Sequence, residues 1–251
     1  LPHTMTRRSV LLGLSLGWPS LGSLAQLQET PELVLSMGGG TPLGPGKSPG
    51  FADSVVVEAF RRIGITAEVI PLPAERSLIN ANAGIEDGDA LRTRAIESNY
   101  PNLVRVPEQV MLFEVGGYTF DPNLDVITLG DLSDHAVGIE AGIKVVEGSL
   151  AEHPRLTAVK DLKQLFTLLS NRRVDIALAE RWQGNWWANR LGPDCRILLM
   201  PLQREPMFIY LHKRHAALAP RLAAALRDMK ADGTHARLFL RILAPLDTAQ
   251  P

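Results

Sequence analysis

The chain has 251 residues, 45% of them hydrophobic and 21% charged, with a formal net charge of −1 and a single cysteine, Cys195. That length supplies a sizeable core for one large domain or two small ones. Near-neutral charge leaves no electrostatic footprint for nucleic acid, and one cysteine excludes an internal disulfide framework or a cysteine-based metal cluster.

Residues 1–25 read as an export signal. Arg7 and Arg8 are the only charged groups there, Val10 to Trp18 is a short apolar stretch, and Pro19 and Gly22 break it ahead of Ser23-Leu24-Ala25, a small-x-small cleavage site. The stretch is too short to span a bilayer as a stable helix. The paired arginines also resemble a twin-arginine signal, so the general and the twin-arginine export routes both stay open. No cysteine lies near the cleavage site to carry a lipoprotein anchor. The expected product begins near Gln26, lies free in the periplasm, and has no membrane insertion after cleavage.

Beyond the signal, strand and helix patterns alternate. Leu33 to Met37 is an apolar run closed by Gly38-Gly39-Gly40. Ser48-Pro49 offers an N-cap and a first-turn proline for a helix with Phe51, Val55, Ala59, Phe60 and Ile63 on one face, and Gly64 is placed to stop it. Residues 65–70 read as a strand, and Glu75 to Ala83 as a helix ended by Gly84. A βαβα opening predicts a largely parallel sheet. Composition changes near residue 117. Val115 to Phe120 reads as a strand, Asp121-Pro122-Asn123 as a turn, Ala136 to Ile139 as a strand, and a helix opens near Gly142. A helix through Leu162, Leu165, Leu168 and Leu169 ends at Asn171. Strands follow at Val174–Ala179, Ile197–Met200 and Phe208–Leu211, and helices over 216–230 and 234–243 close the chain.

Two successive βα blocks and a returning strand suggest two lobes. The stretches PLPAERSLINANAGIEDGDALR (71–92), YPNLVRVPE (100–108), DHAVGIEAG (134–142) and RRVDIALAE (172–180) carry a resemblance to the type II periplasmic substrate-binding proteins, in the group that includes polar amino-acid receptors of ABC transporters. The resemblance implies an α/β, two-lobed fold with two mixed sheets and a hinge. Lobe one would comprise 31–119 plus 208–251, and lobe two 120–207. It further implies a small polar solute, amino-acid-like, held in the cleft of a monomer by lobe closure and delivered to a membrane permease, with no cofactor.

Several residues are candidates for holding that solute. By the resemblance, Arg92 stands where the family presents a carboxylate-binding arginine, although Leu91-Arg92-Thr93-Arg94 departs from the usual Thr-x-x-Arg pattern and Arg94 competes for the role. A guanidinium forks onto a carboxylate through two parallel hydrogen bonds, which lysine cannot do. Glu180 falls where the family places an acid for the ligand's amino group, and a strand-end carboxylate suits a cleft. Its alternative is a solvated acid paired with Arg181 or Arg190. Gly142, in Gly138 to Lys144, stands at a strand-to-helix turn whose free N–H groups suit an anion, or is only a tight turn. Gly39 should line the rim of lobe one, where relatives carry aromatics that this chain lacks. Trp182, with Trp186 and Trp187, is either an aromatic wall able to take a cation or core filling. Arg76, beside Glu75, is a further rim contact.

An enzyme on the same fold, dehydratase- or lyase-like, would use Glu180 or Glu140 as acid or base. No supporting motif is present, and the six histidines do not cluster at ligand spacing. A sensor presenting its ligand to a signalling receptor is the other alternative. Cys195 is assigned to structure.

Overall fold

The computed structural model describes residues 32–125, 128–198, 201 and 203–247. The export signal and the end of the strand expected at Ile197–Met200 lie outside these. The apolar run Leu33–Met37 forms β1, and α1 (Phe51–Arg62) buries Phe51, Val55, Val56, Ala59 and Phe60. Gly50, not Ser48-Pro49, is the N-cap of α1. Gly64 takes φ +78° just past its end. β2 (Ala67–Pro71) and α2 (Ala74–Ala83) follow, and Gly84 closes α2 in the left-handed region that a residue without Cβ adopts freely.

β3 (Gly88–Arg92) has no counterpart in the sequence reading, because Asp89 and Arg92 interrupt its apolar character. All five of its residues are buried. They can be, since each polar group answers another. Asp89 Oδ2 accepts from Arg92 Nε at 2.8 Å and from Ser77 Oγ at 2.6 Å, while Oδ1 accepts from the Leu91 N–H.

The chain continues through β4 (Leu103–Arg105), β5 (Met111–Thr119), β6 (Val137–Glu140), α3 (Lys144–Ser149), β7 (Leu156–Val159), α4 (Leu162–Ser170) and β8 (Ile176–Glu180). It then runs through α5 (Arg181–Leu191), β9 (Arg196–Ile197), β10 (Gln203–His212), α6 (Ala219–Ala231) and α7 (Thr234–Ile242). The spatial order is β2-β1-β3-β10-β5-β8-β6-β7, with β4 beside β10 and β9 beside β5. β2, β1 and β3 are mutually parallel, as are β7, β6 and β8.

β10 is antiparallel and joins the two groups. Gln203–Met207 pairs with β5, and Phe208–His212 pairs with β3 and β4. Two sheets therefore share one strand that changes partner between Met207 and Phe208. β5 hydrogen-bonds to β8 and β9, which sets Met111–Thr119 in the second sheet, whereas the sequence division put it with the first lobe. The first sheet buries α1 and α6 through Leu35, Val55, Leu222 and Leu226. In the second, Tyr118, Leu165, Phe166 and Leu169 pack with Cys195. Burial pushes the Cys195 thiol up to about 12, in keeping with an inert structural role. No helix among the described residues is long and apolar enough to cross a membrane.

Candidate ligand cleft

In open α/β sheets, ligand sites form beyond the carboxyl ends of strands, where side chains and helix N-termini from neighbouring loops converge. Here four such ends meet. β1 ends at Gly38, β3 at Arg92 and Thr93, β6 at Gly142 and Ile143, and β8 at Glu180. All line one cavity of about 50 Å³, together with Lys144 and Gln183. Of the residues named from sequence, Arg92, Glu180 and Gly142 line this cavity; Gln183, which also lines it, was not named, because its position depends on the direction of α5.

Arg92 is buried and held from two sides. Nε donates to Asp89 and Nη2 donates to the Ala74 carbonyl at 2.8 Å, which leaves Nη1 without a partner among the described residues. The guanidinium lies over Gly38. A Cβ there would come within 2.8 Å of Arg92 Nη2 and 2.7 Å of Ala74 Cα, so only glycine allows this approach. The neighbouring Arg94 lies in a short 3-10 turn and sits over the Phe208 ring instead.

Glu180 is the last residue of β8 and the N-cap of α5. Its Oε2 accepts from the Trp182 and Gln183 N–H groups at 2.9 and 3.0 Å, while Oε1 is buried and has no hydrogen-bond partner. Burial pushes this carboxyl up to about 8, against the pull of those two backbone donors. It is therefore not the solvated acid, paired with Arg181 or Arg190, that was its alternative. Arg181 bonds Glu114 and Asp247, and Arg190 lies over Trp186.

Gly142 reaches the cavity, but its N–H is taken. It donates to Glu147 Oε1 at 2.7 Å, so the free anion-binding donor expected there is absent at this residue. What Gly142 supplies is room and backbone shape. It holds φ +92°, and a Cβ would sit 3.1 Å from Ala74 Cβ and from the Glu75 nitrogen. Gly39 and Gly40 meet α5 from the other sheet, and Gln183 Nε2 donates to the Gly40 carbonyl at 3.3 Å. A second contact crosses between the sheets. Lys144 Nζ lies 2.7 Å from Glu75 Oε2, and Glu75 Oε1 accepts from the Tyr100 hydroxyl at 2.9 Å.

Outside this clasp lies a larger chamber of about 560 Å³. Gly39, Thr41 and Leu72 wall it from the first sheet, and Glu140, Trp186 and Trp187 from the second. A slot of about 10 Å³, lined by both Glu140 and Glu180, lies between chamber and cavity. Glu140, at the end of β6, is 9% exposed. Burial and the nearby Asp161 push it up to about 7, with Arg92 pulling the other way.

Two expected contacts stand elsewhere. Trp182 is buried edge-on against Phe239 at 5.3 Å and lines neither cavity, because the first turn of α5 points it into the core. Trp186 and Trp187, four and five residues on, reach the chamber. Arg76 is exposed on α2 and lines neither cavity.

No family model matches the chain. An uncharacterized protein of Shewanella oneidensis is 24% identical over 209 residues, 74% of each chain. Solved structures give the architecture. An ancestral arginine-binding protein bound to arginine superposes with a TM-score of 0.73 at 17% identity, over 84% of this chain and 98% of that one. The GluR0 ligand-binding core from Nostoc punctiforme, in complex with L-glutamate, gives 0.72 at 18% identity, over 85% and 100%. A histidine kinase sensor domain with similarity to periplasmic binding proteins gives 0.72 at 16%, over 84% and 96%. The chain thus has the two-lobed α/β fold of the type II periplasmic binding proteins. The first two of these structures hold a bound ligand, arginine and L-glutamate.

Proposed function

We propose that this chain is an exported solute-binding protein that captures an amino-acid-like molecule in the cleft between its two sheets and holds it by closure of the two lobes. The observation that carries this reading is Glu180 Oε1, a buried oxygen with no hydrogen-bond partner that belongs to a residue lining the same cavity as Arg92. A buried acceptor left unmatched costs free energy, and a ligand ammonium at that point would remove the cost. Arg92 Nη1 would take the ligand's carboxylate, with Asp89 and Ala74 fixing the plane of the guanidinium. The neighbours' arginine and glutamate ligands support the amino-acid class. In this reading the lobes meet where β10 changes sheets, and closure is a hinge motion about Met207 and Phe208 and the facing segment ahead of β5.

The test is a thermal-shift screen of residues 26–251 against amino acids, organic acids and polyamines. A native-state ligand raises the melting temperature by mass action. The expected result is a rise with amino acids or amines that Glu180→Gln reduces, and that Arg92→Ala reduces wherever the ligand carries a carboxylate. No rise with any class would sink the reading. Delivery to a permease in the periplasm is the first expected use. The sensor-domain neighbour favours a second, presentation of the ligand to a signalling partner. Loss of labelled-ligand uptake on deleting the gene would mark transport, and unchanged uptake would mark sensing.

A further inference from the structure

The charges around the cleft do not balance. Arg92 is answered by Asp89 at 2.8 Å, and Lys144 is answered by Glu75 at 2.7 Å and Glu147 at 3.2 Å. Asp161 spends Oδ1 on the Gln164 N–H at the start of α4. Two buried acids are left over. Glu180 has one oxygen without a partner, and Glu140 receives no hydrogen bond or ion pair from any described residue. Lys160 and Lys163, on the chamber wall, are exposed and form no ion pair with it. Both acids line the slot, Glu140 where it shares a wall with the outer chamber and Glu180 where it shares one with the inner cavity.

We infer that the cleft is built for a ligand with two separated cationic groups, one received by Glu180 in the inner cavity and the other by Glu140 at the chamber, and that Glu140 sets this preference. The inference rests on the solute-binding reading above and adds its ligand class, a basic amino acid or linear diamine rather than a neutral or acidic one. An isolated buried carboxylate is costly, and a second cation compensates it where the protein supplies none. Burial has pushed both carboxyls up by more than Arg92, near Glu140, and Arg181, near Glu180, pull them down. The chamber beyond Glu140 suits the body of such a ligand. Trp187 stacks on Phe166 with its ring planes 12° apart, and Trp186 stands across it at 78°, a fixed apolar wall for a methylene chain.

Calorimetric titrations with L-arginine, L-lysine, 1,5-diaminopentane, L-glutamine and L-glutamate, on wild type and Glu140→Gln, test this. Glu140 caps no helix and makes no protein hydrogen bond, so the glutamine variant should keep its fold, with circular dichroism as the check. At least one dication should bind wild type tenfold or more tighter than glutamine. Glu140→Gln should erase that margin and leave the glutamine affinity within about twofold, since tenfold corresponds to ~1.4 kcal/mol of one charge pair. Preference for glutamine or glutamate in wild type overturns the second cation point and leaves the solute-binding reading standing. So does a dication margin that survives in Glu140→Gln. No binding by any of the five, with no shift in the wider screen, overturns both.

Discussion

Glu180 does two things with one carboxylate, and the two can be separated. Oε2 caps α5 while Oε1 is buried without a hydrogen-bond partner in a residue that lines the cavity. Glu180→Gln keeps an acceptor for the Trp182 and Gln183 N–H groups and should lose ligand affinity with little loss of stability. Glu180→Ala removes the cap as well and should cost about 1 kcal/mol more, read as a lower denaturant midpoint. The pH dependence follows from the direction of the shifts. Glu180 and Glu140 titrate near 8 and 7 in the fold but near 4.5 in the unfolded chain, so the native state holds more protons between those limits. These two acids should therefore cost stability as pH rises from about 5 to 8, against the opposite contribution of His212 and His235, whose pKa burial lowers, and Glu180→Gln should remove the Glu180 part of that fall in a melting series. Asp53, raised by burial to about 6, keeps part of that slope in the variant. A cationic ligand should reverse the trend and stabilise most above pH 8, where both acids are ionised. For Glu140 the facing charges are Arg92 and Asp161, with Lys160 and Lys163 at the wall. For Glu180 they are Glu114 and Arg181.

At the level of elements, α5 decides which residues face the cleft. Its Gly184 lies against the fully buried Tyr118, and an added Cβ would stand 2.2 Å from the ring. Tyr118 cannot yield easily, because its hydroxyl is bonded to the Arg181 carbonyl and to Asn185, both at 2.9 Å. Gly184→Ala should therefore destabilise by about 1–3 kcal/mol in urea unfolding and also disturb Gln183 and Glu180 just before it. Most elements were readable from hydrophobic period and glycine stops, as with α1, α2 and the apolar strand before Glu180. β3 was not, because its stability comes from an Asp89–Arg92 pairing that periodicity does not record. Glu180 could be read as a strand-end acid. The burial of Glu140 could not, since it depends on α4 and Asp161 folding over it from twenty residues away. Trp182 stayed open between cleft wall and core because spacing gives the side of a helix but not the direction that side faces.

For the whole molecule, β10 ties two sheets together while Glu75–Lys144 and Gln183–Gly40 join the loops and helix starts beyond their strand ends. If closure accompanies capture, small-angle X-ray scattering should record a smaller radius of gyration with saturating ligand than without, and Lys144→Ala should widen that difference. The inner cavity holds about 50 Å³, less than the solute it is proposed to enclose, and Lys144 and Gln183 of the clasp line it. In the solute-binding reading proposed above, a solute reaches Arg92 only after those two contacts part. Capture speed then belongs to the protein rather than to diffusion: in stopped-flow mixing the observed rate should climb with concentration and level off at the rate of opening. Because one of the two contacts is a partly exposed ion pair, added salt should raise that plateau, the opposite of what it does to a charged encounter limited by collision.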